Sequence, residues 1–244
     1  MVQKLILLIA SLFISFNAYA GTLYQFTPDG TQVASYSVGT PTNGALAYVD
    51  AGYFLVAISN TLDLLHLDDG TLVNLGTIYN PSIPAGGDLD IGGVVHNREG
   101  IWVVEEGERV VGMITQFFQR VHLLEWDGTI KRTWSIAVTP AINGLTMNGK
   151  DLLMLGIFAG NDFISFRAVE GSSLHQTKFE SMAGNIFAGV TYDGAHVWSF
   201  DGNNVIQYSD DNPFVQVRTW AHGLSGLALA DGIAYGDGYI WIFT

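Results

Sequence analysis

The sequence contains no cysteine, so neither disulfides nor thiol chemistry hold or serve this protein. Basic residues are scarce: 10 Lys and Arg stand against 23 Asp and Glu, for a formal net charge of −13. A surface of that sign repels nucleic-acid phosphates and anionic lipid headgroups, which removes both as partners. Proline is also scarce, with 6 residues, and no stretch carries an apolar stripe at helical spacing. The 6 histidines are scattered without HxH or HExxH spacing, so a zinc-protease or transition-metal reading fails. There is no Gly-x-Ser-x-Gly elbow, P-loop or dinucleotide fingerprint, which excludes the activities most legible from a sequence.

Residues 1–20 have the order of a secretory signal peptide: Lys4, an apolar run from Leu5 to Phe16, then Ala18 and Ala20 in small-x-small spacing before Gly21. The run is too short for a membrane anchor, and no Cys follows for lipid attachment. The expectation is export to a periplasm or beyond, with no stable membrane insertion after cleavage. Loss of the leader removes Lys4 and makes the remaining chain slightly more acidic.

The rest is rich in Gly and in short runs of Val, Ile, Tyr, Phe and Trp, which reads as all-β. A small two-residue step recurs about every 45 residues, the scale of a repeat architecture. It stands at Asn43-Gly44, Gly92-Gly93, Asn143-Gly144, Ala188-Gly189 and Ser225-Gly226. Each step leads through a polar turn to an apolar run, at Tyr53–Ile58, 101–104, 152–155, His196–Phe200 and Tyr239–Phe243. Four of these continue into two further strands joined by a turn such as Asp69-Gly70 or Asp127-Gly128. The fifth stops at Thr244, while residues 22–26 and 32–38 supply the missing pair. The expectation is a five-bladed β-propeller, occupying 21–244 as one domain, in which N-terminal strands complete the C-terminal blade. A six-bladed ring and a β-sandwich are the alternatives.

The phrase Gly-Val-Thr-Tyr-Asp-Gly-Ala-His-Val-Trp at 189–198, with echoes at 144–146 and 226–228, resembles the repeat of secreted bacterial β-propellers of the NHL-like and lactonase-like kind. In size, export and blade number the chain is also similar to plant-type glutaminyl cyclases. No match to their functional glutamate motif is found, so none of their residues carries over. These likenesses imply strands and turns, not a chemistry.

Topology sorts the polar residues. The Asp-Gly turns at Asp29, Asp69, Asp127 and Asp193 belong to hairpins between first and second or third and fourth strands, where they serve as turn chemistry. The opposite end, built from loops between second and third strands and from blade-to-blade connections, gathers the candidate ligand-binding residues. They are Asn43, Asp88, Asp90, Glu105, Glu106, Asn143, Asn161, Asp162, Asp201, Asn203 and His222. If they converge, they form a carboxylate and carboxamide basin suited to calcium or to an ammonium or guanidinium group. Crowded carboxylates would also raise one another's pKa.

Blade two is longer than blade one, and the excess carries Met113, Ile114, Phe117 and Phe118. It is either an apolar lip for a protein partner or a lid, or else two strands extended against each other. The functional expectation is an exported binding propeller for a protein partner, small molecule or glycan. The alternative is a hydrolase, lactonase or cyclase-type enzyme, with Glu105, Glu106, Asp162 or Asp201 around a pocket.

Overall fold

A computed structural model of the chain describes residues 21–38, 45–58, 60–84, 87–136, 142–149, 151–158, 161–170, 173–182, 189–201, 203–210, 215–224 and 232–244. Among these there is no helix, and twenty strands form five antiparallel four-stranded sheets. Blade one is β3 (Leu46–Tyr48), β4 (Tyr53–Ile58), β5 (Thr61–Asp68) and β6 (Thr71–Tyr79). Blade two is β7 (Asp88–Asn97), β8 (Gly100–Val111), β9 (Ile114–Leu124) and β10 (Ile130–Ile136). Blade three is β11 (Ile142–Met147), β12 (Leu152–Phe158), β13 (Asn161–Glu170) and β14 (Ser173–Met182). Blade four is β15 (Val190–Tyr192), β16 (His196–Phe200), β17 (Asn204–Ser209) and β18 (Gln216–Ala221). Blade five runs β19 (Gly232–Gly236), β20 (Tyr239–Phe243), β1 (Gly21–Phe26) and β2 (Gln32–Val38), joining the two ends of the chain.

The first strands touch in a closed ring, β3 to β7 to β11 to β15 to β19 and back to β3. This is a five-bladed β-propeller, and the latch predicted from the complementary ends is a real ladder: Leu23 pairs with Phe243 and Phe26 with Ile240. Neither the six-bladed ring nor the sandwich survives this topology.

Each second strand is covered on both faces by neighbouring strands and blades, which explains its continuous apolar run in place of an alternating one. Among the described residues, apolar side chains cluster at every blade junction. Ala45, Leu55 and Leu62 meet Ile91, Val103 and Leu124 between blades one and two. Trp102 and Trp134 meet Ile142 and Met154 between blades two and three. The remaining junctions repeat the pattern, so stability resides between the blades.

The same indole position recurs in three blades, where the N–H of Trp102 reaches Asn97 Oδ1 at 3.2 Å, that of Trp198 reaches Asp193 Oδ2 at 2.7 Å, and that of Trp241 reaches Gly236 O at 3.1 Å. Asp193 also accepts the backbone N–H groups of Ala195 and His196 at 2.8 and 2.7 Å, so its carboxylate closes the turn and anchors a buried Trp. Burial alone would raise the Asp193 pKa, but these donors outweigh it and hold the carboxyl below its ordinary range. Asp193→Ala strands the Trp198 N–H and opens the turn. Urea unfolding is expected to show a loss of about 2 kcal/mol, the order found when a buried donor loses its acceptor.

Candidate functional site

The lengthened stretch of blade two resolves into paired strands. The β8–β9 ladder continues through Val110↔Thr115 to Val111↔Ile114, beyond the last partners of β7 at Glu108 and of β10 at Gln119. Gly112, with φ of 67°, turns the chain back. The result is a two-stranded arm, with Val110, Val111, Met113, Ile114 and Phe117 exposed at or near its tip. Phe118 is half-buried at the base, with the Arg120 guanidinium over its ring at 4.6 Å.

This pairing overturns the expectation that Glu105 and Glu106 lie in one loop and converge. Both are inside β8, where successive side chains point to opposite faces. Glu105 faces blade one, whereas Glu106 faces blade three and accepts the Ile142 N–H at 2.9 Å and the Gln119 amide at 3.2 Å. Asp88 and Asp90 pair across the ladder with Glu108 and Glu106, forming an acidic wall on that second face. Burial, then the charge of Asp88, raises the Asp90 pKa, and burial with Asp90 raises that of Glu106.

The other candidates are dispersed. Asp201 Oδ1 accepts the N–H groups of Asn203 and Asn204 at 2.7 and 2.6 Å, closing the β16–β17 turn upon itself. His222 is buried beside it: Nδ1 accepts the Leu224 N–H at 3.1 Å, leaving Nε2 to donate to Asp201 O at 3.3 Å. Burial lowers its pKa, consistent with a neutral ring that ties a loop. Asn143 lies in β11, where its carbonyl accepts the Gly189 N–H at 2.8 Å. Asn161 and Asp162 begin β13, paired with Phe158 and Ile157; their side chains, and all of Asn43, lie outside what the structure describes. Among the described residues no group of three or more His, Asp or Glu is placed to hold a metal ion.

A cavity on the axis also differs in position from the expectation. Its volume is about 250 Å³, and Tyr48, His96, Asn97, Met147 and Tyr192 line it where the first strands run into their first turns. That is the end opposite the second-to-third-strand loops, and among the described residues no carboxylate lines it.

The most organised polar group lies between blades one and two. A cleft of about 420 Å³ is lined by Tyr79, Asn80, Pro81 and Ser82 at the end of blade one and by Glu105, Arg120 and His122 of blade two. Cross-strand register aligns the blade-two groups: Glu105↔Arg120, Val103↔His122 and His122↔Thr133 place them on one face. Glu105 and His122 are 2% and 3% exposed, yet both are fully engaged. Glu105 Oε1 accepts the Tyr79 hydroxyl at 2.5 Å and Oε2 accepts His122 Nε2 at 2.9 Å. On the far side of the ring, Thr133 Oγ1 lies 2.8 Å from His122 Nδ1.

An ionised carboxylate can only accept, so the ring nitrogen facing it carries the proton, and in the neutral ring Nδ1 accepts from Thr133. Burial works against ionisation of Glu105, but the bonds from His122 and Tyr79, with the charge of Arg120, outweigh it and hold the pKa below its ordinary value. The Tyr79 phenol moves the other way, raised by burial and by the carboxylate it donates to. Glu105 was in the sequence-derived set; Tyr79, Arg120, His122 and Thr133 were not. Arg120 and His122 share parity along β9, but parity acquires meaning only with the register, and no local signal marked Tyr79 or Thr133.

No family model matches the chain, and no curated protein matches it. Solved structures match it as a fold. A candidate 6-phosphogluconolactonase from Bacteroides fragilis is 15% identical with a TM-score of 0.45, over 89% of this chain and 72% of that one. The PQQ-bound aldose sugar dehydrogenase of Streptomyces coelicolor is 11% identical with a TM-score of 0.44, over 83% and 94%. A chain of a nidogen/laminin complex is 14% identical with a TM-score of 0.44, over 83% and 93%. These propellers differ in what they do, and at such identities they say nothing of chemistry here.

Proposed function

We propose that the protein is an exported binding propeller whose ligand site is the cleft between blades one and two, and that its ligand is a small carboxylate. One observation carries this reading: both oxygens of Glu105, the cleft's buried carboxylate, are already engaged by Tyr79 and His122, so its hydrogen-bonding capacity is turned inward and the Arg120 guanidinium is the cationic group in the lining that can meet a ligand. A cationic group in a concave site stands out in a molecule of net charge −13. The planar guanidinium fork matches a carboxylate in two parallel hydrogen bonds. A phosphate dianion would meet more repulsion from Glu105 and from the acidic surface, so the singly charged group is favoured. Asn80 and Ser82 on the opposite wall offer neutral donors and acceptors for the rest of the ligand.

Thermal-shift titration with acetate, succinate and citrate tests the reading, because a ligand that binds only the folded state raises the melting temperature by mass action. At least one is expected to give a saturable rise. Arg120→Gln is expected to weaken binding roughly 10- to 100-fold, the equivalent of one lost charge-assisted interaction. Arg218→Gln, on blade four, is expected to leave it unchanged. Absence of a rise with all three carboxylates overturns the reading.

A second reading, a protein partner, is favoured by the exposed apolar tip of the blade-two arm. Calcium, the cation expected for oxygen ligands, is tested by a titration with a chelator control beside the carboxylates.

A further inference from the structure

We propose that the protein also hydrolyses small esters at the blade-two edge of the cleft, with Thr133, on the neighbouring strand β10 just outside the cleft lining, as nucleophile, His122, which lines the cleft, as general base and Glu105 as the group that orients the imidazole; this rests on reading the cleft as the ligand site. The three side chains form an unbroken line, Thr133 Oγ1 to His122 Nδ1 at 2.8 Å and His122 Nε2 to Glu105 Oε2 at 2.9 Å. That is the constellation nucleophilic acyl transfer requires: a hydroxyl within reach of a base whose other nitrogen is fixed by a carboxylate. The burial pattern fits the division of labour. Glu105 and His122 are buried, whereas Thr133 is exposed on the outer strand, where a substrate carbonyl can approach it.

Glu105 stays ionised at neutral pH, because its donors hold its pKa down, and it can therefore stabilise an imidazolium. Tyr79 holds the other carboxylate oxygen at 2.5 Å, so the carboxylate cannot rotate away from the ring. Arg120 shares the face of His122 two residues along β9, with its guanidinium held over the Phe118 ring at 4.6 Å, so it contributes positive charge near the site and no contact to the acyl oxygen.

The chemistry balances with water as the only co-reactant. Thr133 Oγ1 bonds to the acyl carbon while its proton passes to His122 Nδ1. The bond from that carbon to the alkoxy oxygen then breaks, and the departing alcohol takes the proton from His122. Water adds to the acyl-enzyme, giving a proton to His122, and the bond from the carbon to Thr133 Oγ1 breaks with return of that proton. The products are one acid and one alcohol. The acid is a carboxylate, the class of ligand the cleft is proposed to hold.

Two readouts test the proposal on residues 21–244. Diisopropyl fluorophosphate, which captures activated hydroxyls with loss of fluoride, is expected to form a single adduct on the peptide containing Thr133. The adduct is expected to vanish in Thr133→Val, to persist in Thr133→Ser and to form at least 10-fold more slowly in His122→Gln. Hydrolysis of p-nitrophenyl acetate is expected to fall at least 100-fold in Thr133→Val, within the range attributed to acid–base assistance, and to be restored by Thr133→Ser. A hydrogen-bond chain that merely stiffened the sheet would alter unfolding in these variants but would yield no adduct in the wild type. No adduct on wild-type Thr133, or hydrolysis unchanged in Thr133→Val, overturns the proposal. Carboxylate titration of Thr133→Val separates the two ideas: retained binding without labelling of the wild type sinks the hydrolysis alone, and loss of carboxylate binding by the wild type sinks both.

Discussion

Replacement of Glu105 by alanine is expected to cost about 3–5 kcal/mol of stability, the largest single loss outside the inter-blade apolar clusters. The substitution leaves the half-buried Tyr79 hydroxyl, at 2.5 Å, and the buried His122 Nε2, at 2.9 Å, without their shared partner at a site 2% exposed. Removal of one member of a buried pair costs the full desolvation of those that remain, which exceeds what the pair contributed when intact. Urea unfolding of residues 21–244 measures it. Glu105→Gln keeps the volume and part of the hydrogen bonding, so its loss is expected to be smaller.

The same pair of variants carries a pH signature. The folded Glu105 carboxyl titrates below its unfolded value because hydrogen bonds and nearby positive charge outweigh burial. Its contribution is therefore fully present above the unfolded carboxylate pKa and is lost as pH falls through the folded value. Wild type is expected to lose stability across that acid window more steeply than Glu105→Gln. Equal slopes would show that the carboxyl is unperturbed. Asp90 and Glu106, whose folded pKa values are raised, act in the opposite sense and become less unfavourable as they protonate.

Gly144→Val is expected to lower stability by about 3 kcal/mol, at the upper end of the usual overpacking cost, because the obstruction is backbone. A Cβ at Gly144 would stand 2.8 Å from Val190 N and 2.9 Å from Gly189 Cα, on the first strand of the next blade. The ring cannot widen at one junction without opening another, so no single side chain can move to relieve the contact. The melting temperature of the variant measures the effect. A change of under 1 kcal/mol would show that the inner strands have slack where they pass one another.

Much of this architecture was legible in the chain itself. The runs Tyr53–Ile58, His196–Phe200, Tyr239–Phe243, Gln32–Val38 and Ile130–Ile136 are strands with those bounds. Their apolar content, bounded by Asp-Gly and similar turns, is local information that requires no knowledge of what packs against them. The small steps at Gly92-Gly93 and Asn143-Gly144 coincide with register shifts in β7 and β11, where inner strands approach closely enough to exclude side chains. The latch could be inferred because the two ends each lack what the other supplies.

The site was far less legible. Glu105 and Glu106 look like one acidic pair in the sequence, but the extended β8–β9 ladder places them in a strand and sends them to different blades. Asp201 and His222 look available, yet their polar atoms are engaged in closing and tying loops of blade four. His122 looks like an ordinary strand residue until its neighbours are known. Tyr79, Glu105 and Thr133 lie 43, 17 and 11 positions from it along the chain; Glu105 and Thr133 each share a hairpin with it, but Tyr79 comes from another blade.

By itself the sequence determined an all-β chain of five repeats closed by its own ends, because strand, turn and repeat signals are short-range and recur. Tertiary structure alone decided which polar residues meet, because that depends on strand register and on the face each residue takes. A shift of one residue in the β8–β9 register would send Glu105 to the opposite blade and dismantle the Tyr79–Glu105–His122–Thr133 line without altering a single local propensity.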